Sequence, residues 1–455
     1  MAEGLVQKTL PEGRAIQVVG VFSGPWDTGW PARDGAVLGF EDVFQAFSTA
    51  AQAGELELLT ADIGIFRHYQ DIRNFLAGCD AVYANCGPWA ALLYLVRERE
   101  QLDVRIIREV RTVGWVGYIW QEEVAGQLER PGDQRVFPSR YARDIWDAAA
   151  PGMSESRVYY PMVRRTCGHT PTVARCSGTV GFFSVLSRDK GFDYLPAVIS
   201  RMLEYGRRID RLVLAGEQAD PALYASVVNE LSDLGVAVSF RGGLPNNEVR
   251  ELMAECDCIF FLSVSSIESL GRVIIEASEQ GVPVVTTDFG AARDLVCADY
   301  LIPVKYLSNA SGASDSAFPV AQLDLQYWQP PARPSAAACF LRAVEDYLVD
   351  SQSAPAVLFP ALAEPQSNSS PLAFSIQCPV DGLGLAHYLL DDLAALGAAP
   401  LHELLDLGGV LKQFLLSRGY NPRVSFQPTA ETQAGIEQTQ IALEVKATRS
   451  GVPAR

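Results

Sequence analysis

The clearest pattern of apolar and polar positions runs from Cys258 to Asp294, and it predicts a strand, a loop, a helix and a second strand. Residues 258–263 form a short apolar run of the kind that a parallel sheet buries on both faces. A polar loop follows, and apolar positions at helical spacing begin after Gly271 and end at Gly281 and Pro283. Because open parallel sheets bind ligands beyond the carboxyl ends of their strands, this loop is the first candidate site.

Apolar strands alternate with helical segments through both halves of the chain, which predicts an α/β fold with doubly wound parallel sheets. One domain is expected over residues 1–165 and another over residues 175–305, with a segment rich in Pro, Arg and Thr between them. A chain of 455 residues is long enough for both domains to bury a core. The other predicted strands are residues 15–22, 55–60, 80–84, 104–109, 135–137, 157–160, 179–186, 211–216 and 237–242.

The charge balance narrows the range of partners. A net charge of −17 argues against a nucleic-acid partner and leaves at most a weak peripheral contact with a membrane. No apolar run is long enough to span a membrane, and the first residues lack the apolar core of a signal peptide. The nine cysteines are scattered and form no Cys-x-x-Cys pair, so we expect reduced thiols and a cytoplasmic location.

Two carboxylates mark the central unit. Glu268 precedes the predicted helix, and Glu276 interrupts its apolar positions, so Glu276 should be buried and should need a partner. The first N–H groups of this helix, from Gly271 to Val273, have no intrahelical acceptor and can meet an anion. The alternative interpretation is that Glu268 only caps the helix and Glu276 lies on a solvated face.

The order of these residues resembles a family pattern. In this chain the pattern consists of Ser265, Glu268, Gly271, Glu276, Ala277, Gly281, Pro283, Val284, Val285, Gly290 and Asp294. It resembles the retaining glycosyltransferases of the GT-B fold, the family 4-like or group 1 class that includes sucrose synthases, glycogen synthases and bacterial mannosyltransferases. The resemblance covers roughly residues 179–296 and extends weakly over the first half. It implies two Rossmann-like domains that face a cleft, with the acceptor bound by the first and the sugar nucleotide by the second.

The resemblance assigns roles to residues of the second domain. It implies that Glu276 holds the ribose hydroxyls of a sugar nucleotide. It also implies that Glu268 faces the donor sugar and diphosphate, together with the N–H groups of Ser269, Leu270 and Gly271. Gly243 is a further expected donor-binding residue.

The diphosphate clamp of the family is only partly present. Lys190 and Gly191 match its Lys-Gly element, but Val185 stands where the family has an arginine. We expect Arg188 to supply the missing cation, on an extended loop that faces the same cleft as Lys190. The predicted catalytic residues are therefore Glu268, Lys190 and Arg188. In the alternative interpretation, Arg188 is exposed to solvent and Lys190 acts alone.

The acceptor side is less well defined. Relatives place a histidine near positions 83–87, and this chain has Asn85 there instead. Tryptophan faces stack on sugar rings, and glycine lets a backbone approach a ligand, although core packing and an ordinary surface loop explain the same residues. The predicted cleft residues are Gly29, Gly35, Trp26, Trp30, Asn85, Arg111 and Trp115.

The expected activity is transfer of a sugar from a nucleotide-sugar donor to an acceptor hydroxyl, with the anomeric configuration retained. No Asp-x-Asp metal site is evident, so we expect no metal and no cofactor. Two alternatives remain open. The altered clamp and the absent histidine fit an inactive partner subunit that only binds the sugar nucleotide. A GT-B epimerase would need two acid/base groups beside the sugar, and the chain has only four histidines.

The remaining residues, 306–455, have no assigned role. Residues 308–334 and 350–371 are rich in Ser, Ala, Pro and Gln and are interpreted as linkers. A helix over residues 336–348 is expected to cross back between the domains, residues 383–417 are apolar and helical, and residues 427–455 should be mobile. We therefore expect the chain beyond about Pro371 to be dispensable for donor binding.

Overall fold

In a computed structural model, the described part of the chain contains two six-stranded parallel sheets, one between residues 17 and 158 and the other between residues 179 and 302. Each sheet has helices in its crossover connections, so the predicted α/β class with two Rossmann-like, doubly wound parallel-sheet domains is confirmed. The structure describes residues 17–23, 35–62, 69–84, 88–111, 113, 116–149, 155–158, 177–312, 317–341, 370–377, 386–387, 390 and 423–433.

The first sheet has the strand order β2-β1-β3-β4-β5-β6, so the order reverses between β1 and β3. All its pairs are parallel, and β3 is buried at every position. Its strands are β1 (Gln17–Ser23), β2 (Leu56–Asp62), β3 (Ala81–Ala84), β4 (Arg105–Glu109), β5 (Gln134–Phe137) and β6 (Glu155–Val158). Its helices are α1 (Gly35–Gln52), α2 (Tyr69–Ala77), α3 (Pro88–Glu100), α4 (Val116–Leu128) and α5 (Arg140–Ala149).

The second sheet has the strand order β12-β11-β10-β7-β8-β9 and reverses between β7 and β10. Its strands β7, β10 and β11 are buried throughout, as their apolar runs predicted. The strands are β7 (Thr179–Phe183), β8 (Arg211–Ala215), β9 (Ala237–Phe240), β10 (Cys258–Phe261), β11 (Val284–Thr287) and β12 (Leu301–Ile302). The helices are α6 (Leu195–Glu204), α7 (Pro221–Asp233), α8 (Asn246–Ala254), α9 (Arg272–Glu279) and α10 (Ala292–Leu295).

The region after residue 303 is not the simple linker that its composition predicted. It contributes a two-stranded and a three-stranded antiparallel sheet, in the orders β13-β15 and β14-β17-β16. The predicted crossing helix is short, because Phe340 leaves it to pair with Val296. The elements are β13 (Val304–Tyr306), β14 (Ala310–Gly312), β15 (Ala321–Leu323), α11 (Ala336–Cys339), β16 (Leu372–Gln377) and β17 (Arg423–Pro428).

These short strands pack into an apolar cluster that they share with both large domains. Leu372 and Phe426 are buried in one apolar cluster with Val264, from the loop after β10, and Tyr141, from α5. The sequence prediction that residues 427–455 are mobile is wrong at its start, because Gln427 belongs to β17. Residues 342–369 and most of the predicted helix at 383–417 lie outside the described residues.

The carboxyl edges of the two large sheets meet. The hydroxyl of Ser139, after β5, donates to the carbonyl of Ser269, after β10. The hydroxyl of Ser269 in turn donates to the carbonyl of Arg111, after β4. Beside these bonds, the rings of Tyr141 and Phe289 lie edge to face with their centroids 5.7 Å apart. The loops at both carboxyl edges therefore face one another, and ligands of this kind of sheet bind there.

Within the part of the chain that the structure describes, no helix is both long enough and apolar enough to cross a membrane. The cysteines described there, Cys79, Cys256, Cys258, Cys297 and Cys339, are free thiols.

Candidate active site

The strand order of the second sheet reverses between β7 and β10, so the loops that follow these two strands diverge to opposite faces and leave a crevice. The register pairs Val180 with Cys258 and Phe182 with Phe260, which brings the two strand ends side by side. The loop after β7 carries Lys190, and the loop after β10 carries Glu268. The fold thus brings together two predicted catalytic residues that are 78 positions apart.

Lys190 and Glu268 form an ion pair at this edge. The Lys190 Nζ lies 2.9 Å from Glu268 Oε2, and the two side chains are only 23% and 13% exposed. The N–H of Gly271 donates to the other carboxylate oxygen at 2.9 Å. Burial alone would raise the pKa of Glu268, but the Lys190 ammonium and the Gly271 N–H hold it below its ordinary value. Glu268 is therefore a carboxylate, not an acid, at neutral pH.

The turn that carries Lys190 depends on a glycine. Residues Arg188–Lys190 form a 3₁₀ turn, and Gly191 ends it in the left-handed conformation at φ 74°. A Cβ at Gly191 would lie 2.2 Å from the carbonyl oxygen of Leu262, so no other residue fits without moving the backbone. This close approach sets the Lys190 turn directly against the start of the Glu268 loop.

Arg188 occupies a different position from the one expected. Because its segment is a 3₁₀ turn, the premise of an extended loop is wrong. Its side chain is 70% exposed, and its guanidinium lies 3.3 Å from Asp193. Val185, at the position of the family arginine, is also exposed. A share for Arg188 in the clamp stays a prediction.

Glu276 is buried on α9, as expected for a carboxylate within an apolar segment. Its Oε1 accepts two hydrogen bonds, from Arg272 Nε at 2.8 Å and from Asn246 Nδ2 at 3.0 Å. Asn246 is the first residue of α8, and Gly243 lies in the short loop that leads to it. These partners hold the carboxylate at one orientation, which is what binding of a ribose diol would require.

The loop between Glu268 and α9 both contacts the first domain and donates a hydrogen bond to Glu268. Its Gly271 is left-handed, at φ 76°, and a Cβ there would lie 2.6 Å from the ring of Phe261. Leu270 buries its side chain, so only its backbone can face a ligand. Ser269 is the residue that contacts the first domain, and Gly271 gives its N–H to Glu268. The capping role that the sequence left open for Glu268 therefore exists alongside its pair with Lys190.

On the first-domain side, Arg111 follows β4, and its carbonyl accepts the hydroxyl of Ser269 from the second domain. Its Nη2 donates to Glu109 Oε1 at 2.8 Å, and the hydroxyl of Tyr83 donates to the same oxygen. Arg108, one residue before Glu109, points to the opposite face of β4. There its Nη2 lies 2.7 Å from Glu129 Oε1, and its Nη1 pairs with Glu122, so Arg108 forms buried ion pairs with two carboxylates.

Other predicted residues are less informative. Gly35 begins helix α1 and does not lie in the preceding loop. Outside the described residues are Gly29, Trp26, Trp30, Asn85 and Trp115. Among the described residues, no group of three or more His, Cys, Asp or Glu side chains could hold a metal ion.

Three contributors to the site were missed from the sequence. Glu109 ends a buried strand, and a carboxylate at the carboxyl end of a parallel strand could have been noted. Ser139 follows a predicted strand at the start of a helix, where a serine indicates only a helix cap. Its hydroxyl does accept the N–H of Ala142 at 3.1 Å, but it also donates to the carbonyl of Ser269. Ser263 donates its hydroxyl to the carbonyl of Asp189 at 2.9 Å, beside Lys190, but it carries no distinguishing signal in the sequence, because one serine at a strand end is ordinary.

Residues 177–313 match the family model described as Glycosyl transferases group 1. The matched segment contains the second sheet together with Lys190, Glu268 and Glu276. No curated protein matches the chain.

Several solved structures are similar to this one. Anabaena Alr3699/HepE in complex with UDP is 15% identical, with 84% of this chain and 100% of that chain covered and a TM-score of 0.47. A glycosyltransferase from Rickettsia africae is 13% identical, with 61% and 81% covered and a TM-score of 0.44. The pneumococcal O-GlcNAc transferase GtfA is 13% identical, with 52% and 48% covered and a TM-score of 0.40.

Proposed function

We propose that this protein is a retaining glycosyltransferase that moves a sugar from a nucleotide-sugar donor to an acceptor hydroxyl. The observation that carries the proposal is the Lys190–Glu268 ion pair at the switch point of a sheet that matches the group 1 model. A partly buried cation and an ionised carboxylate at one point suit a reaction in which opposite charges develop on neighbouring groups. Departure of a nucleoside diphosphate from a sugar is such a reaction.

In this mechanism the donor lies across the loops after β7, β9 and β10. Glu276, held by Arg272 and Asn246, accepts hydrogen bonds from the ribose hydroxyls. The diphosphate lies at the N-terminus of α9, where the helix dipole and the first N–H groups favour negative charge. Lys190, paired with Glu268 when no donor is bound, turns towards the β-phosphate as the donor enters.

The chemical step separates charge. As the bond between the anomeric carbon and the β-phosphate oxygen breaks, negative charge grows on the phosphate and Lys190 stabilises it. Positive charge grows on the sugar ring, and the ionised Glu268 faces it. The acceptor hydroxyl attacks from the side of the first domain, where Arg111, Glu109 and Tyr83 form a polar cluster. Its proton passes to the departing phosphate, and the configuration is retained.

The first experiment screens sugar nucleotides with different bases and sugars for a rise in melting temperature of the full chain. The donor found is then incubated with acceptor glycans in the presence of a chelator, and the anomeric configuration of the product is read by NMR. We expect a transfer rate that the chelator does not change, a product that retains the anomeric configuration of the donor, and no turnover by Glu268→Gln. A rate that chelation removes and magnesium or manganese restores would contradict the metal-free mechanism.

A second candidate is a catalytically inactive partner subunit that binds the sugar nucleotide. Two observations favour it, namely the exposed Val185 at the arginine position and the solvent-facing Arg188. The same screen separates the two functions. Donor binding without transfer or hydrolysis, by a protein whose Glu276→Gln variant no longer binds, would favour the inactive subunit.

A further inference from the structure

A junction of three strand ends lies beneath the Lys190–Glu268 pair, and Ser263 is its centre. The hydroxyl of Ser263, which is buried, donates to the carbonyl of Asp189 at 2.9 Å. The carbonyl of Ser263 accepts the hydroxyl of Thr287 at 2.8 Å. One residue at the end of β10 therefore binds the turn after β7 and the end of β11.

The hydrogen bond from Ser263 to Asp189 holds the turn that carries Lys190. Asp189 precedes Lys190 in the 3₁₀ turn, and Gly191 follows it against the carbonyl of Leu262. The turn is thus fastened on both sides of Lys190 to the strand end that leads to Glu268. Without the Ser263 hydroxyl, the Asp189 carbonyl loses this donor. The turn then keeps its internal bonds, from the Lys190 N–H to Ser187 and from the Gly191 N–H to Arg188, but it loses its hydrogen bond to the strand end that leads to Glu268.

We propose that Ser263 is a positioning residue that holds Lys190 and Glu268 in register at the carboxyl edge of the second sheet. It acts through the turn and touches no reacting atom. This role rests on the proposed function for its effect on turnover, but its effect on the ion pair can be measured without turnover.

The direct test measures how readily Lys190 reacts with acetic anhydride at trace levels, by peptide mass spectrometry. Lys305, an exposed lysine on β13, serves as the internal reference. An amine held in a partly buried ion pair reacts slowly, so Ser263→Ala should raise the Lys190 rate severalfold relative to Lys305. Ile259→Val, a mild core change at the other end of β10, is the matched control and should leave the ratio unchanged.

Ser263→Cys keeps the size of the side chain with a weaker donor and should give an intermediate ratio. If Ser263→Ala and Ser263→Cys both label Lys190 at the wild-type ratio, the positioning role is overturned. In the turnover assay, Ser263→Ala should lower kcat by about tenfold or more while the donor KM stays nearly constant. Wild-type protein that turns over no donor would refute the proposed function, and the labelling result would still decide the role of Ser263.

Discussion

Ser139 of the first domain donates its hydroxyl to the carbonyl of Ser269, next to Glu268 in the second domain. The same Ser139 oxygen accepts the N–H of Ala142 and so caps helix α5. The Ser139 side chain therefore contributes both to the stability of helix α5 and to the contact between the two domains. Arg140 and Asp294, 3.4 Å apart, add an ion pair at the same boundary.

Two substitutions of Ser139 separate its two functions. Loss of the cap alone should cost about 1 kcal/mol of stability in Ser139→Ala and about 0.3 kcal/mol in Ser139→Gly, and loss of the bond to Ser269 should add the same cost to both. Both remove the bond to Ser269, so both should lower kcat/KM by about three- to tenfold, which corresponds to one net hydrogen bond. Urea unfolding and steady-state kinetics give the two quantities. A kinetic loss that follows stability, large in Ser139→Ala and small in Ser139→Gly, would assign the whole effect to the cap.

Glu276→Gln tests the donor site. The carboxylate accepts from Arg272 and Asn246, and in the proposed complex it also accepts from the ribose. Loss of its charge should weaken nucleotide binding by roughly 1.5–3 kcal/mol, the range for hydrogen bonds to a charged group. Titration calorimetry with the cognate nucleoside diphosphate measures this. Wild-type affinity in a folded variant would place the ribose elsewhere.

The pH dependence of stability follows from Glu268. Its pKa in the folded chain lies below its ordinary value, so the unfolded chain binds the proton first as the pH falls. The pair with Lys190 therefore stabilises the folded protein fully above about pH 4.3, the unfolded value, and less as the pH falls through the folded value. The stability difference between wild type and Glu268→Gln should accordingly shrink in acid. In Lys190→Met, the stability contributed by Glu268 should be lost at a higher pH, because the ammonium that lowers its pKa is gone. A stability difference between wild type and Glu268→Gln that is constant with pH would contradict the pairing.

Much of the fold could be predicted because local signals and long-range packing agree. Buried parallel strands show as apolar runs, and β7, β10 and β11 fall within or beside the predicted ranges. Glu276 was predictable as buried because it interrupts apolar helical positions. Arg188 was misplaced because sequence spacing does not reveal a 3₁₀ turn, which directs the side chain to solvent and towards Asp193.

The small antiparallel sheet escaped prediction for a different reason. Its strand β14 has three residues and pairs with β17 more than 100 positions later. Such short segments carry too few alternating positions to show a period, and their pairing is set by the apolar face that they cover. The cross-domain bond of Ser269 was hidden in the same way, because it depends on how two domains meet.

Phe426 provides a test of this extension. It is fully buried in β17, against the cluster that includes Val264 and Phe289, so Phe426→Ala should destabilise the protein by about 3–5 kcal/mol. Gln427→Ala, its exposed neighbour on the opposite face, is the control and should have little effect.

A chain that ends near residue 366 lacks β16 and β17. In contrast to the expectation from the sequence, it should melt at a lower temperature and bind the donor poorly. Unchanged donor affinity in that shortened chain would instead support the expectation that the residues beyond about Pro371 are dispensable for donor binding.

Lys190→Ala tests the clamp on the leaving diphosphate. Lys190 is partly buried, lies 2.9 Å from Glu268, and is fixed by the turn that ends at Gly191. Because charge on the leaving group grows in the transition state, loss of Lys190 should lower kcat by on the order of 10²-fold or more. Arg188→Ala should have a smaller effect, since its guanidinium is mostly exposed and lies beside Asp193. Steady-state kinetics of both variants with the cognate donor decides between the two cations. An equal loss in Arg188→Ala would mean that its side chain leaves Asp193 and joins Lys190 when the donor binds, and wild-type rates in both would place the leaving group elsewhere.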